Sequence, residues 1–161
     1  MVKLTIDNKP VEVAQGTTIL KAARQAGADI LNDISALEDD TNLASFAACE
    51  KIPVILMHKR GTPLIMQRNT DYTDVVRDIA SYLADRIEYA VSEGIAPEKI
   101  IVDSGVGFGK DRAANISLIR SGAVILDLIE RRTGRRIMHI LMGLSRKTVI
   151  GEITGKETSA R

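Results

Sequence analysis

Pro53-Val54-Ile55-Leu56-Met57-His58-Lys59-Arg60 is apolar at each of its first five positions and polar at the rest. A run without alternation is what a parallel strand covered on both sides requires, and its abrupt polar end marks a strand-to-helix loop. Upstream, Asp29-Ile30-Leu31-Asn32-Asp33-Ile34 is a shorter, mostly apolar strand, followed by a helix over about residues 40 to 50 with Leu43, Phe46 and Ala47 on one face. Downstream, Val76, Ile79, Leu83, Ile87 and Ala90 recur at helical spacing, with Gly94 at the stop and Pro97 beyond. Ile100-Ile101-Val102 is the next strand, followed by a glycine-rich loop and a helical stretch within 111 to 132. Gly122 interrupts that stretch, so it is either two helices or a bent one. Ile137-Met138-His139-Ile140-Leu141-Met142 is the last strand. Strands alternating with helices define an α/β fold, a parallel sheet with helices outside it.

The amino-terminal segment follows a different rule. Val2, Leu4 and Ile6 alternate with Lys3, Thr5 and Asp7, and an Asn8-Lys9-Pro10 break precedes Val11-Glu12-Val13, which reads as a β-hairpin. A short helix through Ile19, Leu20, Ala23 and Ala26 follows, with Thr17 or Thr18 as its N-cap and Gly27 closing it. We divide the chain into a hairpin-helix segment, 1–30, and an α/β segment, 31–161. The tail from Lys156 to Arg161 is polar.

Composition narrows the classes. Twenty-two basic and twenty-one acidic residues leave a net charge of +1, which makes no general electrostatic case for nucleic acid or an anionic membrane as partner. No apolar run approaches the ~20 residues of a membrane span. The first residues alternate charged and apolar, unlike a signal peptide. One cysteine, Cys49, excludes an intrachain disulfide framework and a four-thiolate cluster. The expected setting is cytoplasmic. The 161 residues fall short of the roughly 250 of a complete eightfold β/α barrel.

Polar residues collect where the strands end: Asn32-Asp33, His58-Lys59-Arg60-Gly61, Asp103-Ser104-Gly105 and Ser145-Arg146-Lys147. In parallel α/β folds, ligands sit beyond the carboxyl ends of the strands. One such cluster alone is an ordinary solvated turn; four in succession, mixing an amide, carboxylates and lysines, point to a shared pocket. Asp103 can also cap its own turn, Lys147 can start a solvated helix, and His58 reads as a structural histidine. Gly105, Gly107 and Gly109 lack the spacing of a nucleotide phosphate loop. The Arg131-Arg132 and Arg135-Arg136 pairs around Gly134 read as a solvated helix end.

In order along the chain, Asn32-Asp33-Ile34-Ser35, Met57-His58-Lys59-Arg60-Gly61-Thr62-Pro63 with Met66-Gln67, Asp103-Ser104-Gly105-Val106-Gly107-Phe108-Gly109-Lys110 with Asn115, and Gly143-Leu144-Ser145-Arg146-Lys147 resemble the dihydropteroate synthases of folate biosynthesis. The resemblance covers about residues 28 to 153. It implies a partial (β/α)8 TIM barrel of the pterin-binding type, with four or five parallel strands, outer helices and a preceding hairpin and helix. It also implies a transferase that condenses 6-hydroxymethyl-7,8-dihydropterin diphosphate with p-aminobenzoate and releases diphosphate, with magnesium as cofactor. By that resemblance Asn32, Met57, Asp103, Phe108, Gly143 and Lys147 bind the pterin, with Asp7 added if Leu4–Asp7 is a barrel strand. Asp103 and Lys147 carry catalysis, and Ser145 lies near the p-aminobenzoate.

The chain departs from the family pattern at named points. Ser104 stands where proline is usual, and Lys59 where methionine is usual. The family's Asn-x-Thr-x-Asp-Ser loop, which holds diphosphate and metal, its Ser-Thr-Arg-Pro loop and its Arg-x-His do not occur in the sequence. A shortened synthase and a non-catalytic pterin-binding module are therefore both open. Residues 1–30 resemble instead the β-grasp start of [2Fe–2S] ferredoxin-type domains, but the four cysteines of such an electron carrier are absent. Four or five barrel strands leave two open edges. A homodimer, an open sheet and marginal stability are the outcomes this allows.

Overall fold

The computed structural model describes residues 1–61 and 70–157. Thr62, Pro63, Met66 and Gln67 of the quoted motifs lie outside this range, as do residues 158–161.

Strands β1 (Val2–Ile6) and β2 (Lys9–Val13) pair antiparallel, Val2 opposite Val13 and Ile6 opposite Lys9. The turn is Asp7-Asn8, both at positive φ (49° and 59°). That conformation matches the twist of a two-residue hairpin, and Asp and Asn tolerate it. The expected break at Asn8-Lys9-Pro10 therefore lies one residue earlier, with Pro10 inside β2. Helix α1 (Ile19–Gln25) starts at Thr18, whose hydroxyl accepts from the Lys21 N–H at 3.3 Å. Lys9 Nζ ties β2 to the far end of α1 by donating to the Ala26 carbonyl at 3.2 Å. Val13 and Ala22 are the buried apolar side chains of this segment.

The second sheet holds β3 (Leu31–Asp33), β4 (Val54–Met57), β5 (Ile100–Asp103) and β6 (His139–Leu141), all parallel and neighbouring in chain order. Between them run α2 (Asn42–Glu50), α3 (Val75–Ser92), a short 3-10 turn (Pro97–Lys99), α4 (Arg112–Arg120) and α5 (Gly122–Thr133); α6 (Thr148–Thr154) follows β6. Gly122 separates two helices, because the chain leaves helical geometry at Ser121. Helix α6 has too short an apolar pattern to be read from sequence. The strand expected over 29–34 narrows to 31–33, because the Asp33 carboxylate accepts from the Ser35 N–H (3.0 Å) and the Leu37 N–H (2.5 Å) and turns the chain.

Each strand of this sheet has two unlike faces. Val54, Leu56, Ile100 and Val102 point into one core with α2, α3, α4, α5 and α6, among Ala47, Ile79, Leu83, Ile87, Leu118, Ile125, Ile129 and Val149. Asn32, Ile55, Met57, Ile101, Asp103, His139 and Leu141 share the opposite face, outside that core. Strand order equal to chain order, with helices on one face only, is barrel winding; a doubly wound sheet reverses its order and covers both faces. The fold is thus a partial β/α barrel with a hairpin and helix before it. No described helix is long and apolar enough to cross a membrane.

Candidate functional site

Asp103 ends β5 in register with Met57 on one side and Leu141 on the other. The ladder continues past it, the His58 N–H donating to the Asp103 carbonyl at 3.0 Å. The side chain is 6% exposed and Oδ1 accepts from the Gly105 N–H at 2.8 Å. Burial raises its pKa, while that hydrogen bond and the Lys147 and Lys110 ammoniums pull it back down. Capping its own turn and facing a ligand are compatible, since one carboxylate oxygen serves the turn. Oδ2 lies 4.0 Å from where a Cβ on Gly143 would stand, so the absent side chain at 143 keeps space open beside the carboxylate.

The loop after β5 is built on glycines. Gly105 (φ +68°) is forced: a Cβ there would sit 1.9 Å from the His58 carbonyl oxygen. Gly107 (φ +85°) makes room for Lys147, whose Cδ would be 3.2 Å from a Cβ at that position. Asn115 clamps the loop from α4, its Oδ1 accepting from the Gly107 N–H (2.7 Å) and its Nδ2 donating to the Lys110 carbonyl (3.1 Å). The Tyr72 hydroxyl donates to the Gly109 carbonyl at 3.1 Å. Phe108 is half-buried, and the Lys147 ammonium sits 4.3 Å from its ring centroid, within cation–π range. Lys147 is the residue before α6, and burial lowers its pKa while Asp103 opposes the shift.

Under the loop, His58 and Lys110 are 6% and 3% exposed. Lys110 Nζ donates to the Phe108 carbonyl (2.8 Å) and the Gly105 carbonyl (2.9 Å) and lies 3.0 Å from His58 Nδ1. Burial, with Lys110 and Arg60 nearby, brings His58 down to about 3. Burial brings Lys110 down to about 7, with Asp103 opposing and Arg60 and Lys147 assisting. The Tyr82 ring meets His58 edge-on, centroids 4.9 Å apart.

The structure therefore joins Asp103, Phe108, Gly143 and Lys147, with Met57 one strand over. Asn32 lies on the same sheet face, exposed, paired in register through Ile55 to Ile101. Ser145 is exposed in the Leu144–Lys147 turn, which Arg146 closes at φ +60°. Asp7 stands apart: Leu4–Asp7 is not a barrel strand but part of the antiparallel ribbon, with Asp7 exposed in its turn. Asp33 is a turn-former, its oxygens taken by Ser35 and Leu37. Lys59 pairs with Asp39 across the strand ends, and buried Ser104 donates to the Met142 sulfur at 3.6 Å. Sequence reading missed the buried role of Lys110; its signal was a lone charge closing a glycine-rich run. Tyr72 carried no signal. Among the described residues no three His, Cys, Asp or Glu side chains converge as a metal site.

Barrel winding gathers a carboxylate, an aromatic ring and an ammonium at the strand ends, where β/α barrels bind their ligands. The family model described as pterin binding enzyme matches residues 2–161, and the chain belongs to that family. That match takes in the hairpin and α1. The dihydropteroate synthase of Synechocystis sp. is 38% identical over 152 residues, covering 94% of this chain and 48% of the relative. That of Neisseria meningitidis serogroup B is 38% identical over 155 residues, covering 94% and 52%. Among solved structures, Thermus thermophilus dihydropteroate synthase in complex with 6HMPPP aligns with a TM-score of 0.75 at 33% identity, covering 89% of this chain and 53% of that one. The Xanthomonas albilineans enzyme in complex with 7,8-dihydropteroate gives 0.68 at 36%, covering 86% and 46%. The chain spans about half the length of the curated relatives it matches.

Proposed function

We propose that this chain carries the pterin-recognising part of a dihydropteroate synthase site. The observation that carries the reading is the buried Asp103 carboxylate at the end of β5, with Lys147 held over Phe108 beside it. A pterin presents paired N–H donors on its amino-pyrimidinone edge. Asp103 accepts from that edge through the oxygen facing Gly143, and the Asn32 amide takes a further ring position. Met57 and Phe108 supply apolar contact to the flat ring. Lys147, close to both Asp103 and Phe108, contacts the ring from their side, and Ser145 lies where p-aminobenzoate would approach.

In the whole reaction the arylamine nitrogen bonds to the pterin methylene carbon. The carbon–oxygen bond to diphosphate breaks, and an amine proton is released. Positive charge grows on the pterin as diphosphate leaves. Holding the ring and stabilising that charge is therefore the protein's task, and no protein nucleophile is needed. Magnesium would accompany the diphosphate. The described residues offer no ligand cluster for it, so no step is assigned to it.

A second reading, a pterin-binding module without turnover, is favoured by one observation: the ring-recognising residues are present, while the family's Asn-x-Thr-x-Asp-Ser loop, which holds diphosphate and metal, does not occur in the sequence. Calorimetry with a dihydropterin analogue, run beside a diphosphate-release assay, tests both. The expected result for this chain is binding with little or no release. Release at enzyme-like rates supports the full synthase, and absence of binding defeats both readings.

Residues 1–30 form a unit apart from 31–161 in this reading, since the hydrogen bonds of the described segment stay within it. Cys49, an exposed free thiol, suits the cytoplasm.

A further inference from the structure

We propose that Lys110 is a positioning residue for the ring-binding cluster: its buried ammonium clamps the loop after β5 to His58 at the end of β4 and so sets the Phe108 ring on which Lys147 rests. The proposal rests on the pterin reading above and goes beyond it, since it gives Lys110 a role in shaping the loop rather than in touching the ligand.

Three observations carry it. First, the ammonium has three protons and close partners on both elements: the Phe108 carbonyl at 2.8 Å, the Gly105 carbonyl at 2.9 Å, and on His58 the Nδ1 atom at 3.0 Å and the carbonyl at 3.5 Å. The first two flank the loop's apex, and the His58 atoms belong to the neighbouring strand end. Secondly, no ion pair among the described residues involves Lys110, which is 3% exposed. Burying a cation without an ion pair is costly, and a methionine of similar length would fill the space more cheaply. Thirdly, the loop has no ladder of its own. Gly105, Gly107 and Gly109 are all at positive φ, and beyond one turn bond from the Phe108 N–H to the Gly105 carbonyl and the Asp103 cap, the loop is held by Lys110, Asn115 and Tyr72.

The clamp fixes the state of its partner. For Nδ1 of His58 to accept from an ammonium, the imidazole must be neutral with its proton on Nε2. Burial and the neighbouring charges of Lys110 and Arg60 act in that direction. Burial brings Lys110 down to about 7, and the Asp103 carboxylate offsets part of that shift in favour of the ammonium. The clamp thus links Asp103 to the loop it caps.

The test uses histidine-labelled full chain at pH 6.5. Only His58 and His139 contribute signals, so a His139→Asn variant assigns them. Nitrogen–proton correlation spectra should give His58 as the neutral Nε2–H form; a cationic ring or an Nδ1–H form overturns the clamp. Lys110→Met should raise the Kd for a dihydropterin analogue at least tenfold while far-UV circular dichroism stays unchanged. It should also release His58 from its single tautomer. Lower stability with an unchanged Kd would make Lys110 merely structural and overturn the proposal. If Lys110→Met does not fold, His58→Gln, which alters the acceptor instead, must show the same loss of affinity or the proposal fails. If the unaltered chain binds no pterin, the functional reading falls, while the tautomer of His58 still decides the clamp.

Discussion

Asp103 has to remain a carboxylate while buried, and that tension sets its pH behaviour. Burial raises its pKa, so protonation on acidification begins at a higher pH than for an ordinary aspartate. Affinity for a dihydropterin analogue should therefore fall as pH drops through that raised value, which calorimetry at a series of pH values reads directly. Asp103→Asn removes the charge from the hydrogen bonds and should cost about 1.5–3 kcal/mol of binding. His58 titrates the other way. Its folded-state value of about 3 lies below the ordinary 6.5, so between these the unfolded chain takes up a proton that the folded one refuses. Its contribution to stability is complete above about pH 6.5 and is lost as pH falls towards 3. At about 1.4 kcal/mol per pH unit, the loss between pH 6.5 and 4.5 should be about 2–3 kcal/mol. Asp103 contributes with the opposite sign in acid, so the measurement is the difference between urea unfolding of the unaltered chain and of His58→Gln at both pH values. At this scale Asp103 and Lys147 stood out in the polar clusters after the strands, while Phe108 drew notice only through the family resemblance. The burial of Lys110 was not legible, because a lysine after glycines looks solvated until the neighbouring strand end closes over it.

The loop after β5 and the start of α4 work as one element. Gly105→Ala would drive a methyl into the His58 carbonyl in a conformation that L side chains rarely adopt. We expect at least ~3 kcal/mol of destabilisation, seen as a lowered urea midpoint or loss of soluble protein. Asn115→Ala is milder. It removes the bonds that Asn115 makes to the Gly107 N–H and the Lys110 carbonyl but leaves α4 capped by Asp111, whose Oδ1 accepts from the Ala114 N–H at 2.7 Å. A loss of about 1–3 kcal/mol in unfolding free energy, with helix content unchanged by circular dichroism, is the expected result. Sequence periodicity located α3, because its apolar residues recur over several turns. It misjudged β3 and the hairpin turn, where single side chains decide: Asp33 ends the strand by bonding backbone amides ahead of it, and Asp7-Asn8 accept positive φ.

Across the whole molecule, stability is graded. Strands β4 and β5 lie inside the sheet, and the side chains on their helix-facing side are almost fully excluded from solvent. The β1–β2 ribbon rests on Val13 and Ala22. Amide hydrogen exchange should show β4 and β5 protected up to the global unfolding free energy, β3 and β6 less, and the ribbon exchanging first. Equal protection of ribbon and central strands would refute this ranking. The strand–helix alternation that revealed the α/β class could not reveal this gradient, since Val2-Lys3-Leu4 and Val54-Ile55-Leu56 both read as good strands.

The two unlike sides of the parallel sheet have one more consequence. Every second position along β4 and β5 answers to the helices, and the positions between answer to whatever meets the other face. A saturation library of these strands, sorted once for survival of the fold and once for ligand capture, should return two tolerance maps that are complementary stripes: Leu56 and Val102 intolerant in the first, Met57 and Asp103 in the second.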